Sequence, residues 1–131
     1  MTSPTLNYIG IVARDLTASL AFYRSLGLAV PEPQGGHTQV ELPGGMTLAW
    51  DAVADIASMV DWVPPTGSSR MALAFQCVSP SHVDEMYGSL VAAGHPGHLE
   101  PFDAPWGQRY ASVEDPDGNT VDLYAPQPPG E

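Results

Sequence analysis

The strongest constraint on this chain is a recurrence: an apolar β-rich run, an amphipathic helix closed by glycine, and then short strands, laid out twice along 131 residues. In the first pass Leu6-Asn7-Tyr8-Ile9-Gly10-Ile11-Val12 is the strand, and Asp15 follows with a carboxylate suited to the free amides of a starting helix. Leu16, Leu20, Phe22, Tyr23 and Leu26 share one helical face, and Gly27 stands where a left-handed cap belongs. His37 to Leu42 alternates, Pro43-Gly44-Gly45 turns, and Met46 to Asp51 is a further strand, with the stretch near Val30 a weaker candidate. In the second pass Arg70 to Cys77 is the strand. Ser79 then caps a helix with Pro80 at its first position, and Val83, Met86, Tyr87, Leu90 and Val91 form its apolar stripe up to Gly94. A weak strand near His98, the segment Gln108 to Val113, the turn Pro116-Asp117-Gly118-Asn119 and the strand Thr120 to Tyr124 complete it.

Pro43-Gly44-Gly45-Met46-Thr47-Leu48 and Pro116-Asp117-Gly118-Asn119-Thr120-Val121 share one turn-then-strand layout, which marks a weak internal repeat. The expectation is an α+β chain, one domain over 1–131, built from βαβββ modules at 6–51 and 70–125 joined by a connection at 52–69. Each sheet is expected to pack its apolar face on a helix and to curl its other face around a shared cavity, as a curved mixed sheet. Strand alternation sends Ile9, Ile11, Val40, Leu42, Leu48, Trp50, Met71, Leu73, Phe75, Ala111, Val113, Val121 and Leu123 to the helix side. The opposite parity collects Tyr8, Gly10, His37, Gln39, Thr47, Ala49, Arg70, Ala72, Tyr110, Ser112, Asp122 and Tyr124. A face meant only for water more often carries Lys and Glu, so this small, polar and aromatic set reads as a ligand face, against the alternative of an ordinary solvated sheet.

Charge narrows the partners. Fifteen acids against four arginines and no lysine give a net charge of -11, which repels nucleic acid and favours a cationic or electron-poor small molecule, unless the acidity serves solubility alone. Cys77 is the only cysteine, so an intramolecular disulfide and a paired-cysteine zinc site are both excluded. The opening Met1-Thr2-Ser3-Pro4 has neither a basic nor an apolar signal region, and no run reaches the roughly 18 apolar residues of a membrane span. A cytoplasmic protein is expected.

Asp15-Leu16, Ser19-Leu20-Ala21-Phe22-Tyr23, the paired modules and the closing string Asp115-Pro116-Asp117-Gly118-Asn119 together resemble the vicinal oxygen chelate superfamily of glyoxalases, extradiol dioxygenases and bleomycin-resistance proteins. The resemblance runs over nearly the whole chain and implies the glyoxalase/bleomycin-resistance fold. Leu48-Ala49-Trp50-Asp51, Pro65-Thr66-Gly67, Gly97-His98-Leu99, Trp106-Gly107-Gln108-Arg109-Tyr110 and Val121-Asp122-Leu123 look similar to the mitomycin-binding drug-resistance members. Metal-dependent members place His, Glu or Gln on four strands. The resemblance puts Tyr8, Ala49, Ala72 and Asp122 at those positions, of which only Asp122 is a good donor. Arg70, of the same parity as Ala72, adds a positive charge. No metal and no other cofactor is therefore expected.

His82 and His95 read as surface residues at the ends of the second helix, and His98 as a structural hydrogen-bonder; His37 faces the ligand side, either to bind or simply to sit there. Cys77 at a strand end reads as a small core residue, and no nucleophile–base arrangement is visible. Arg70 and Asp122 either pair with each other or are solvated separately. Trp62 and Trp106 lie in loops and either wall a ligand or plug the core, whereas the parity of Trp50 points to packing. The resemblance implies non-catalytic sequestration of a planar aromatic or quinone-like molecule such as an antibiotic, by a homodimer. Tyr8, His37, Gln39, Trp62, Arg70, Trp106, Tyr110 and Asp122 are the expected ligand-binding residues. The rival is a glyoxalase-like lyase or isomerase, or a dioxygenase-like metalloenzyme, with altered metal ligands.

Overall fold

The computed structural model describes residues 5–59, 63–65 and 71–128. Its backbone divides into two compact units, Met1–Thr66 and Gly67–Glu131. The first unit contains β1 (Tyr8–Ala13), α1 (Leu16–Ser25), β2 (His37–Glu41), β3 (Thr47–Ala52) and α2 (Val53–Met59). The second contains β4 (Ala72–Gln76), α3 (Pro80–Ala92), β5 (Gly97–Ala104), β6 (Gln108–Glu114) and β7 (Thr120–Pro126). The chain is thus α+β, with sheets of three and four strands ordered β1-β3-β2 and β4-β7-β6-β5.

The repeat seen in the sequence reappears as register. The first strand of each unit lies parallel to its last, with Tyr8 opposite Thr47 in one and Ala72 opposite Thr120 in the other. The remaining pairings in both sheets are antiparallel. One expectation needs correction and another gains detail. The stretch near Val30 does not join a sheet: Val30 is buried, but the carbonyls of Val30 and Pro31 accept from the Arg24 guanidinium, and that of Pro31 also accepts from the Thr38 hydroxyl. Side chains thus take the place of a ladder partner. The connection expected at 52–69 also begins with a helix, α2, whose Asp55 carboxylate accepts the Gly36 N–H at 3.0 Å. A Cβ at residue 36 would lie 2.4 Å from that carboxylate, so a larger residue there would displace the Asp55 side chain and its hydrogen bond.

The helices begin and end as their sequences direct. The Asp15 carboxylate accepts from the Ala18 N–H, and the Ser79 hydroxyl accepts from the His82 N–H, with Pro80 in the first turn. Beyond the two helices, Gly27 and Gly94 take φ of 101° and 100°, the left-handed conformation that side chains resist.

In the first unit Leu20, Phe22 and Tyr23 of α1 are buried, and the Tyr23 ring lies 5.2 Å from that of Trp50, which is 0% exposed. The coreward reading of Trp50 holds. In the second unit Val83 and Leu90 of α3 are buried, as are Ala111, Val113, Val121 and Leu123 of the sheet it covers. Arg109 forks onto Asp84 of α3 at 2.9 and 3.2 Å and reaches Asp103 of β5 at 3.0 Å. Met71, expected on the helix side, precedes β4 and is 78% exposed, because the strand begins one residue later; Val91 at the edge of the α3 stripe is also exposed. Cys77 is buried, and that burial pushes its thiol up, away from the reactive thiolate. Among the described residues no helix is long and apolar enough to cross a membrane.

Candidate functional site

The face of the second sheet defined by Asp122 carries the richest set of polar and aromatic groups. Registry places Ala74 and Ser112 on either side of Asp122, and Gln76 and Tyr110 on either side of Tyr124. Period-two alternation then puts Gln108, Tyr110 and Ser112 of β6 on one face with Thr120, Asp122 and Tyr124 of β7. The Ser112 hydroxyl donates to Asp122 Oδ1 at 2.7 Å, and the Tyr110 hydroxyl donates to Asp122 Oδ2. Burial, and next the hydrogen bond to Asp122, push the Tyr110 phenol up to about 12, so it remains a protonated donor at neutral pH.

Beside this carboxylate the rings of Phe102, Trp106 and Tyr110 meet edge to face. Their centroids are 5.4 Å apart for Trp106–Tyr110, 6.0 Å for Phe102–Trp106 and 6.4 Å for Phe102–Tyr110. The turn of residues 105–107 between β5 and β6 delivers Trp106, whose indole N–H donates to Gln108 Oε1 at 2.9 Å and whose residue is 58% exposed. An indole oriented by its neighbours yet left more than half in solvent is a surface on which a flat ring can stack. At 58% exposure Trp106 is not a core plug of its unit.

In the first unit the face shared by Tyr8, His37, Gln39 and Ala49 also holds Asp51. The Asp51 carboxylate lies 2.7 Å from His37 Nδ1, and Gln39 Oε1 lies 3.0 Å from His37 Nε2. The hydrogen bond to Asp51, then that to Gln39, raise the His37 pKa above its ordinary value, against the opposing effect of burial. Tyr8 is 47% exposed, and its ring edge stands 3.6 Å from where a Cβ on Gly10 would be.

The predicted residues thus fall into two groups. Trp106, Tyr110 and Asp122 come together in the second unit, and His37 with Gln39 in the first, where Tyr8 shares their sheet face. Trp62 and Arg70 lie outside the described residues, as does the proposed Arg70–Asp122 pair. Sequence reasoning missed Phe102, Gln108 and Asp51 as site members and left Ser112 among the face residues only. Asp51 follows from period two once Thr47 and Ala49 are assigned, and Gln108 likewise from Tyr110. Phe102 had no such signal, because β5 carries two register shifts against β6. His82 accepts the Val78 N–H through Nδ1, whereas His98 Nδ1 lies 3.8 Å from Glu114 Oε1, beyond hydrogen-bond distance.

At the four positions that the resemblance assigns to metal ligands, the side chains present do not suit a divalent ion. Ala49 and Ala72 present no side-chain donor atom, and Tyr8 offers a phenol, a poor ligand for a divalent ion. Asp122 is a good donor, but one only, and each of its oxygens already accepts from a hydroxyl. Among the described residues no three His, Cys, Asp or Glu side chains are grouped to hold a metal ion.

No curated protein sequence matches the chain. Among solved structures it is similar to a glyoxalase/bleomycin resistance protein/dioxygenase from Nocardioides, with 27% identity and TM-score 0.76 over 100% of this chain and 89% of that one. It is also similar to a glyoxalase-related enzyme from Fulvimarina pelagi, with 25% identity and TM-score 0.81 over 92% and 87% of the two chains. A lactoylglutathione lyase from Agrobacterium tumefaciens, 22% identical with TM-score 0.68 over 95% of each chain, shares the fold. The sequence profile of one family spans residues 5–123, taking in the repeated strands and both clusters, and by that match the chain belongs to the Glyoxalase/Bleomycin resistance protein/Dioxygenase superfamily.

Proposed function

We propose that this member binds and sequesters a planar aromatic or quinone-like small molecule, an antibiotic in the first instance, without transforming it. The observation that carries this reading is the Phe102–Trp106–Tyr110 cluster: an indole 58% exposed, held by its neighbours beside the Asp122 carboxylate. Stacking on such rings contributes roughly 0.5 to 1.5 kcal/mol per pair beyond area burial. Tyr8, His37, Gln39, Trp62 and Arg70 belong to the same proposal as further ligand contacts, within a cytoplasmic homodimer. The strings that look similar to mitomycin-binding members make mitomycin the first ligand to test.

The rival reading, a glyoxalase-like lyase or dioxygenase-like enzyme with altered ligands, has the names of two structural neighbours in its favour. The donor chemistry at Tyr8, Ala49 and Ala72 weighs against it. Tryptophan fluorescence titrated with mitomycin and a panel of planar aromatics tests the binding role: saturable quenching that is lost in Trp106→Ala supports it. Metal analysis of protein purified without chelator, with a methylglyoxal–glutathione assay, tests the rival. Stoichiometric metal accompanied by turnover would make the binding proposal wrong.

A further inference from the structure

We propose that the Asp122 cluster selects, among planar ligands, those carrying a protonated nitrogen, with the Asp122 carboxylate as the acceptor; this rests on the binding role above and names its ligand class. The argument is a count of protons and lone pairs. The hydroxyls of Tyr110 and Ser112 each have one proton, and both are committed to Asp122. Their oxygens retain acceptor capacity only. Asp122 itself has about four acceptor positions, of which two are used. The neighbouring indole N–H is committed to Gln108 Oε1. Around Asp122 the cluster therefore offers a ligand acceptors and a negative charge that its hydroxyl partners do not neutralise, while the donors it keeps are the amide N–H groups of Gln108 beside the indole.

The arginine that the second unit presents among the described residues is directed elsewhere. Arg109 is adjacent in sequence to both Gln108 and Tyr110, hence of opposite strand parity, and its guanidinium is held by Asp84 and Asp103. Tyr110 joins the two parts of the site, because its ring contacts Trp106 and Phe102 while its hydroxyl reaches Asp122. A ligand ring seated on the exposed indole thus brings a nitrogen at its margin toward a carboxylate with unused lone pairs, and a charge-assisted hydrogen bond is the result. A ligand that presents only carbonyl or carboxylate oxygens to Asp122 itself meets acceptors facing an acceptor, and finds a donor only by turning to the Gln108 amide.

Three probes of matched shape test this: naphthalene-1-methylamine, protonated at neutral pH, the neutral naphthalene-1-methanol and the anionic naphthalene-1-carboxylate, measured by calorimetry on the full chain. The amine is expected to bind about tenfold tighter than the alcohol and the carboxylate weakest. In Asp122→Asn the amine-to-alcohol ratio falls to about one. That variant removes one of the chain's fifteen acidic side chains, so the general acidity of the protein does not account for such a collapse. In Tyr110→Phe, which frees a carboxylate lone pair, the amine preference is kept or increased, and thermal unfolding of both variants checks that they fold. Alcohol or carboxylate binding as tightly as the amine overturns the selectivity while leaving aromatic binding intact. A preference that survives in folded Asp122→Asn also overturns it, and failure of all three probes overturns the binding role together with the selectivity.

Discussion

Replacing Trp106 with alanine separates a binding surface from a structural plug, because the two roles predict opposite balances of stability and affinity. The indole makes two edge-to-face ring contacts, to Phe102 and Tyr110, and one hydrogen bond to Gln108. Ring pairs of this kind contribute about 0.5 to 1.5 kcal/mol each, and an exposed neutral hydrogen bond about 0.5 to 1 kcal/mol. With the residue 58% exposed these contributions lie toward their lower ends, and Trp106→Ala should cost about 1 to 2 kcal/mol. Trp50, 0% exposed and in contact with Tyr23, supplies the comparison: Trp50→Ala should cost about 3 to 5 kcal/mol. Urea denaturation at neutral pH gives both numbers, and titration with a planar ligand gives the affinity. Trp106→Ala is expected to weaken binding at least tenfold, since the stacking surface and its buried area are both removed. A loss of stability equal to that of Trp50→Ala, with affinity unchanged, would refute the reasoning.

Other consequences are equally direct. His37 should titrate above 6.5 in a proton NMR titration, and Asp51→Asn should move its midpoint down, since the hydrogen bond to Asp51 is the largest cause of the rise. The sign for stability follows: a raised folded pKa contributes stability fully present below about pH 6.5 and lost as pH rises through the folded value, so Asp51→Asn should destabilise more in acid than in alkali. Tyr110 should ionise near pH 12 in an ultraviolet titration, a step lost in Tyr110→Phe and still elevated in Asp122→Asn, because burial exceeds the hydrogen bond as cause. Leu123→Ala, 1% exposed before the change, should cost about 2 to 5 kcal/mol by chemical denaturation with the ligand ratios above unaltered.

What was legible in the sequence is what depends on local periodicity. Asp15, Ser79, Gly27 and Gly94 mark the helix boundaries because capping is decided within one turn. Trp50 and Asp122 were sorted to opposite faces because alternation needs no knowledge of the partner strand. Phe102 escaped because the β5 bulges break that alternation, and Pro101 beside it weakens any strand reading. The Asp51–His37 pair escaped for a different reason: cross-strand contact depends on the register of β2 against β3, which the intervening turn sets and composition does not reveal. Pro105 and Gly107 mark the loop that carries Trp106, but whether an indole there is covered depends on residues distant in sequence.

The registers also explain how one strand plan carries two chemistries. Matching Thr47 to Thr120 through the parallel pairs, and His37–Asp51 to Tyr110–Tyr124 through the antiparallel ones, makes Ala49 the counterpart of Asp122, Gln39 that of Ser112 and His37 that of Tyr110. In the first unit the carboxylate stands two residues further along the last strand, directly across from the imidazole, so the pair forms between an acid and a base. In the second it stands at the Ala49 position, across from a serine and diagonal to a tyrosine, where its partners donate hydrogen bonds without supplying positive charge. That displacement by one step of the pleat separates a pair that satisfies itself by proton affinity from a carboxylate whose charge is solvated by neutral donors and left for something else to meet.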